Sequence, residues 1–401
     1  MSTRLVRPAF VILAGLAIGS SAGAQRDTTR ARRDSVVADT GRPFVRGGPY
    51  DKPFQSRLFG RTAIGGYVEV HARYQRVDGA NDDSGIEAKR FNLFAATRVS
   101  DFVRMAAELE FEDGASEIKL EFAAIDVRVH PSFAIRGGMV LVPLGKFNLS
   151  HDSPLNEFTD RPLVSTELLG VALSEPGVGA LGQFAVGRSG RLTYEAYVTN
   201  GFHDGLIQNA EDGTRIPMGR GNLEDNNGSP AFVGRVAWSP NIGHEIGLSM
   251  HHGAYNVFNE EGVEVDQRRD LTIAVIDAET EAFGVQFRGE AANASIDVPS
   301  TLQGIFAQKQ RGFYAEAVRE FGYRLIRTMP ESFFALKARV DYVDFDVDRE
   351  GSDQKQITIG FNFRPTRDTA IKFDYVRGNS RDEFNNKSQH AFLLASLATY
   401  F

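Results

Sequence analysis

Cysteine is absent from the 401 residues. That excludes a disulfide framework, thiol nucleophiles and cysteine-ligated metal, although a large barrel needs no such staple. A helical membrane anchor is missing as well. Mean hydropathy is -0.26, and the apolar run "AFVILAGLAI", Ala9 to Ile18, is too short to cross a bilayer. Positive charge is outnumbered, with 45 Lys and Arg against 52 Asp and Glu, and the formal net charge of -7 argues against a nucleic-acid partner. The chain carries no Gly-x-Ser-x-Gly elbow. The Gly-rich stretch 212–230 lacks the spacing of a calcium loop and reads as a solvated connection. His251 and His252 are strand neighbours that face opposite sides, so they make no ligand pair. No metal and no cofactor are expected.

What is present begins with an export signal. Arg4 and Arg7 precede the apolar run, and Ala22 and Ala24 offer an A-x-A cleavage site before Gln25. Residues 1–24 are read as a signal peptide. Residues 25–61, rich in Arg, Asp, Thr, Gly and Pro, are read as a flexible N-terminal segment. An active, plug-gated importer needs a far longer N-terminal domain than this.

From residue 62 to 401 the pattern changes to period two. In "VRMAAELEFE", Val103, Met105, Ala107, Leu109 and Phe111 alternate with Arg104, Glu108, Glu110 and Glu112. "QITIGFNFR" sets Ile357, Ile359, Phe361 and Phe363 against Gln356, Thr358, Asn362 and Arg364. Such alternation marks strands with one apolar and one polar face. About sixteen such segments recur, many near the length of a tilted membrane strand. The fourth, 116–130, slips phase between Phe122 and Ile125, which predicts a bulge. The sixth, 169–186, is interrupted by "SEPGVGALG".

The connections alternate in length. Short links fall near 100, 130, 187, 239, 279 and 365. Longer ones, most of them rich in Asp, Asn and Gly, fall at 77–87, 144–168, 201–229, 257–267, 294–308, 347–354 and 380–387, with two exceptions to the alternation, a longer inner link near 322–331 and a short outer one near Gly114. Sorting of loops by parity is what a membrane barrel does with its inner turns and outer loops. The fold expected is therefore all-β: a 16-stranded antiparallel transmembrane β-barrel, in contact with outer-membrane lipid. The chain closes on "HAFLLASLATYF" with a terminal Phe401, the kind of final strand that barrel-assembly machinery reads.

Residues 133–182 add a more specific pattern. A strand ending in G-x-x-x-x-P-x-G leads to "N…H…PLNEF…RPLV" and then to "SEPGVGALG", with Gly138, Pro143, Gly145, Asn148, His151, Pro154, Leu155, Asn156, Arg161 and Pro162 carrying it. This resembles the family of phosphate-selective porins O and P. The resemblance is specific over about fifty residues and architectural over the rest of 62–401. It implies a homotrimer, a third outer loop lying in the pore, and small anions such as phosphate as solutes. No arginine or lysine ladder of that family aligns residue by residue.

The candidate constriction residues in loop 144–168 are Lys146, Asn148, His151, Asp152, Glu157, Asp160 and Arg161. The polar strand faces put Arg73, Arg98, Arg104, Arg128, Arg136, Glu108 and Glu110 in the lumen, part of a wall of nearly balanced sign. Arg98, Arg104, Arg128 and Arg136 flank inner turns, either as a basic mouth or as partners in wall-stiffening ion pairs. The run Ser150, His151, Asp152, Ser153 has the composition of a hydrolase triad. Adjacent residues of an extended loop point apart, however, and a triad needs convergence. The reading is a non-enzymatic porin for passive diffusion of small polar solutes or ions. A non-conducting structural or adhesive barrel is the alternative, with a barrel hydrolase behind it.

Overall fold

A computed structural model describes residues 56–58 and 62–401. The expected signal peptide and nearly all of the N-terminal segment lie outside the described residues. Ser56–Leu58, at the end of that segment, pairs antiparallel with Thr62–Ile64.

Sixteen long strands follow: β1 (Thr62–Val77), β2 (Ala80–Arg98), β3 (Val103–Glu112), β4 (Glu117–His130), β5 (Phe133–Leu141), β6 (Ser174–Val186), β7 (Gly190–Thr199), β8 (Ala231–Asn241), β9 (His244–Ala254), β10 (Asp270–Ala282), β11 (Val285–Ile296), β12 (Lys309–Phe321), β13 (Phe333–Asp344), β14 (Asp353–Thr366), β15 (Thr369–Arg381) and β16 (Lys387–Tyr400). Each pairs antiparallel with its neighbours in sequence, and β16 returns to β1 from His390↔Val77 to Tyr400↔Tyr67. Closure removes both edges, so every strand has a partner on each side.

The faces are inverted relative to a water-soluble protein. On β13, Lys337, Arg339 and Asp341 are buried while Leu336 and Val340 are exposed. On β14, Gln356, Thr358 and Asn362 are buried while Ile357 and Ile359 are exposed. Such a surface is stable only against lipid. A one-residue slip would turn every inner charge outward, at roughly 2–4 kcal/mol for each Arg or Lys at the bilayer midplane. Phe102, Phe184, Trp238, Phe283 and Phe401 are exposed near the chain ends and the short turns, where an aromatic girdle belongs.

Phe401 completes the closure. Its backbone exchanges hydrogen bonds with Gly66, at 3.2 and 2.9 Å, and its ring stacks on Phe91 at 5.8 Å. A Cβ on Gly66 would lie 2.3 Å from the Asn92 carbonyl and 2.5 Å from the Phe401 ring, so only glycine admits this contact.

Three expectations are corrected. The first outer link is not 77–87 but the two-residue turn Asp78–Gly79, whose φ angles of +48° and +82° fit a tight hairpin; β1 and β2 extend to meet it. The bulge in β4 falls just before the expected place: Glu108 pairs with Phe122 and Leu109 with Leu120, leaving Glu121 as the extra residue. Glu121 and Phe122 consequently both point inward. The sixth strand starts at Ser174 rather than 169. Residues Val164–Leu169 instead form a helical turn ended by Gly170 in the left-handed region. Its apolar residues Val164, Leu168 and Leu169 join a buried apolar cluster inside the barrel with Leu206, Ile216, Tyr314 and Val343, the turn packing against β11, β12, β13 and the short turn Ile216–Gly219.

Candidate functional site

The segment between β5 and β6 crosses the interior of the barrel. Near its start it touches one wall. Gly145 donates its N–H to the Ser249 hydroxyl at 2.9 Å, and Lys146 reaches Glu245 at 3.1 Å and Glu279 at 2.9 Å. Gly145 has φ +77°, and a Cβ there would meet the Glu290 carboxylate at 2.8 Å. The glycine thus serves both the turn and the close approach.

The middle of the segment meets the inner face of β13–β16 and β1. The Arg364 guanidinium donates to Glu157 Oε1 at 2.9 Å, and Asn362 donates to Glu157 Oε2 at 2.7 Å. Lys372 donates to the Ser153 carbonyl at 2.7 Å. Thr159 donates its N–H to Asp374 at 2.9 Å, and Leu163 donates its own to Asp341 at 3.1 Å. Arg73 of β1 binds Asp160 at 3.1 Å. The wall's inner charges are therefore the loop's partners, which satisfies buried polar groups on both sides.

Asn148 fastens the two ends of the loop together. Its amide donates to the carbonyls of Val142 at 2.8 Å and Leu173 at 2.9 Å, and its oxygen accepts the Leu173 N–H at 2.8 Å. Burial pushes the Glu157 carboxyl up, but the Arg364, Arg288 and Lys337 charges and the Asn362 hydrogen bond outweigh it and hold the carboxyl below its usual range.

The Ser-His-Asp-Ser run disperses. The Ser150 hydroxyl donates to the Lys146 carbonyl. The His151 ring meets the Asn148 carbonyl through Nδ1 and Glu121 through Nε2. Asp152 accepts from Tyr400, and Ser153 donates to Glu69. Both imidazole nitrogens are thus turned to groups other than a serine hydroxyl, and the geometry is not that of a nucleophile and base.

Of the residues expected in the lumen, Glu108, Glu110 and Arg136 are buried, Arg73, Arg104 and Arg128 are half-buried, and Arg98 is exposed. Glu108 accepts from Asn92 at 2.8 Å, and Glu110 lies 3.2 Å from Arg90. Arg136 forks onto Asp126 at 2.7 and 2.8 Å. Arg104 stands opposite the same Asp126 across β3–β4. Arg98 pairs with Asp101 at 2.8 Å, and Arg128 donates to the Asp101 carbonyl at 2.9 Å. The four arginines of the inner mouth are thus interleaved with acids. Arg161 is half-buried, and Arg339 donates to its carbonyl at 3.4 Å; Glu110 and Glu112 are charged neighbours of its guanidinium.

Sequence reading missed one grouping. Ligand atoms of Glu121, His151 and Asp152 lie within 4.8 Å of one another, and all three residues are buried. Strand alternation placed Glu121 in the lumen, but only the bulge and the crossing loop bring it to His151.

Comparison with known proteins supports the architecture. No family model matches the chain. An uncharacterised protein of Aquifex aeolicus is 25% identical over 390 residues, covering 89% of this chain and 84% of its own. Among solved structures, OmpF of Salmonella typhi superimposes with a TM-score of 0.56 at 10% identity, covering 86% of this chain and 100% of that one. The outer membrane channel DcaP of Acinetobacter baumannii gives 0.53 at 11%, covering 87% and 100%. The chain has the fold of the outer-membrane porins. The narrower resemblance to phosphate-selective porins rests on residues 133–182 alone.

Proposed function

We propose that the protein is an outer-membrane porin, a passive diffusion channel whose loop 144–168 narrows the lumen. The observation that carries this reading is the loop's path: it is tied to β9–β11 near its start and to β13–β16 in its middle by side chains of the inner wall. The half-exposed Arg73–Asp160 pair and Arg288 border what remains for solute. Mixed signs at such a point orient water and small polar solutes instead of imposing one charge.

The resemblance over 133–182 adds small anions, phosphate among them, to the candidate solutes, and adds a homotrimer as the assembly. Within the loop, Lys146 and Arg161 face Asp152, Glu157, Asp160 and Glu167, a balance that does not by itself favour anions. Terminal Phe401 would serve as the signal to the barrel-assembly machinery.

A second reading, a non-conducting barrel, is favoured by the near-complete enclosure of Lys337, Arg339 and Lys372. Planar-bilayer recording separates the two. A porin gives discrete conductance steps, and deletion within 150–160 enlarges them. Silence from correctly folded protein leaves the closed barrel. Reversal potentials in phosphate and chloride gradients then test the anion preference.

A further inference from the structure

We propose that Glu121, His151 and Asp152 form a binding site for one divalent transition-metal ion of the zinc class, joining the crossing loop to the bulge of β4. Two ligands come from the loop and one from the wall.

His151 Nδ1 lies 2.7 Å from the Asn148 carbonyl. A carbonyl only accepts, so Nδ1 carries the proton and the neutral ring has its lone pair on Nε2. Nε2 lies 2.8 Å from Glu121 Oε1 with both side chains 1% exposed. Yet Nε2 makes no hydrogen bond there, because the contact is out of line for an N–H donor. An acceptor nitrogen turned toward a carboxylate oxygen in a buried place calls for a cation between them. Two ligands about 2.1 Å from one tetrahedral ion stand about 3.4 Å apart, so the 2.8 Å contact opens by roughly half an ångström to admit it.

Each proposed ligand is held by an outer partner, as metal ligands usually are. The Asn148 carbonyl orients His151. Tyr400 donates its hydroxyl to Asp152 Oδ2 at 2.8 Å. Asn92 donates to Glu121 Oε2 at 3.3 Å.

A separate observation comes from Tyr67. It is fully buried between Tyr400 and Asn92 in the sheet register. Its hydroxyl has no hydrogen-bond partner among the described residues, and its acidic neighbours are Asp152, Glu110, Glu121 and Glu108. An O–H aimed without a partner into a group of carboxylates fits a site completed by a bound ion and its water. One imidazole with carboxylates selects a borderline ion such as Zn²⁺ over Ca²⁺ or Mg²⁺, which take oxygen alone.

The test is calorimetric titration of the full-length barrel in detergent with ZnCl2, with CaCl2 as comparator, after chelator treatment. Co²⁺ absorption provides a second readout of a nitrogen-containing ligand field. The expected result is one saturable Zn²⁺ site per chain, abolished by His151→Ala and by Glu121→Gln. Tyr400→Phe keeps the ring packing and removes only the hold on Asp152; it should weaken binding about 10–100-fold. No saturable Zn²⁺ binding to the wild type overturns the proposal, as does binding that Tyr400→Phe and Glu121→Gln leave unchanged. Neither outcome depends on whether the barrel conducts.

Discussion

At the scale of single residues, the interior is governed by pairing. Asn148 supplies the clearest case, since one side chain satisfies two carbonyls and one N–H of the loop ends. Asn148→Ala leaves the buried Leu173 N–H without its acceptor, at about 1–3 kcal/mol, while the Val142 and Leu173 carbonyls each keep one backbone donor, the N–H of Leu144 and of Val142. A lower denaturation midpoint in detergent, with faster proteolysis of the loop, is the expected outcome. Glu157 predicts a pH dependence. Its folded-state pKa is depressed, so its contribution is fully present above the unfolded carboxylate value of about 4.3 and lost as pH falls through the folded value. The stability gap between wild type and Glu157→Gln should therefore stay constant above about pH 5 and shrink only in stronger acid. A gap that closes near neutrality would show that the Arg364 contact is not the anchor.

At the scale of elements, the crossing loop and the last strand do separate work. The loop fills the barrel without adding a strand, held by its polar middle and by the apolar turn Val164–Leu169. Deletion within 150–160 should leave strand content unchanged by circular dichroism while raising conductance, since Asn148 and the apolar turn remain. The last strand closes the sheet through main-chain bonds from Tyr400 and Phe401 to the first. If Phe401 is also an assembly signal, Phe401→Ala should fold into detergent or liposomes nearly as well as wild type but accumulate less in the membrane of cells. Equal losses in both settings would assign Phe401 to closure alone.

For the whole molecule, the inverted surface is decisive. Lipid outside and charge inside make the barrel's faces non-exchangeable, so the register is fixed by solvent as much as by hydrogen bonds. The proposed homotrimer would bury part of the apolar outer band. Cross-linking and mass measurement in mild detergent should give a threefold assembly, and a monomer under the same conditions would remove that part of the proposal.

The alternation of "VRMAAELEFE" and "QITIGFNFR", the parity of link lengths and the final "LATYF" were enough to determine a sixteen-stranded antiparallel barrel. These properties are local: side-chain direction on a strand has period two, and a barrel's turns sort by side of the membrane. The pairings inside were not local. Glu157 finds Arg364, and Lys372 finds the Ser153 carbonyl, across more than two hundred residues, because a loop of irregular backbone has no period from which its path follows. The helical turn at 164–169 lies at the end of the expected loop and delays the sixth strand to Ser174, its apolar residues entering the buried cluster with Ile216, Tyr314 and Val343. Glu121 faces inward by strand alternation, but it meets His151 and Asp152 only because the bulge sits at its position and the loop passes over it. Strand periodicity set the wall; the three-dimensional course of one loop decided what the wall encloses.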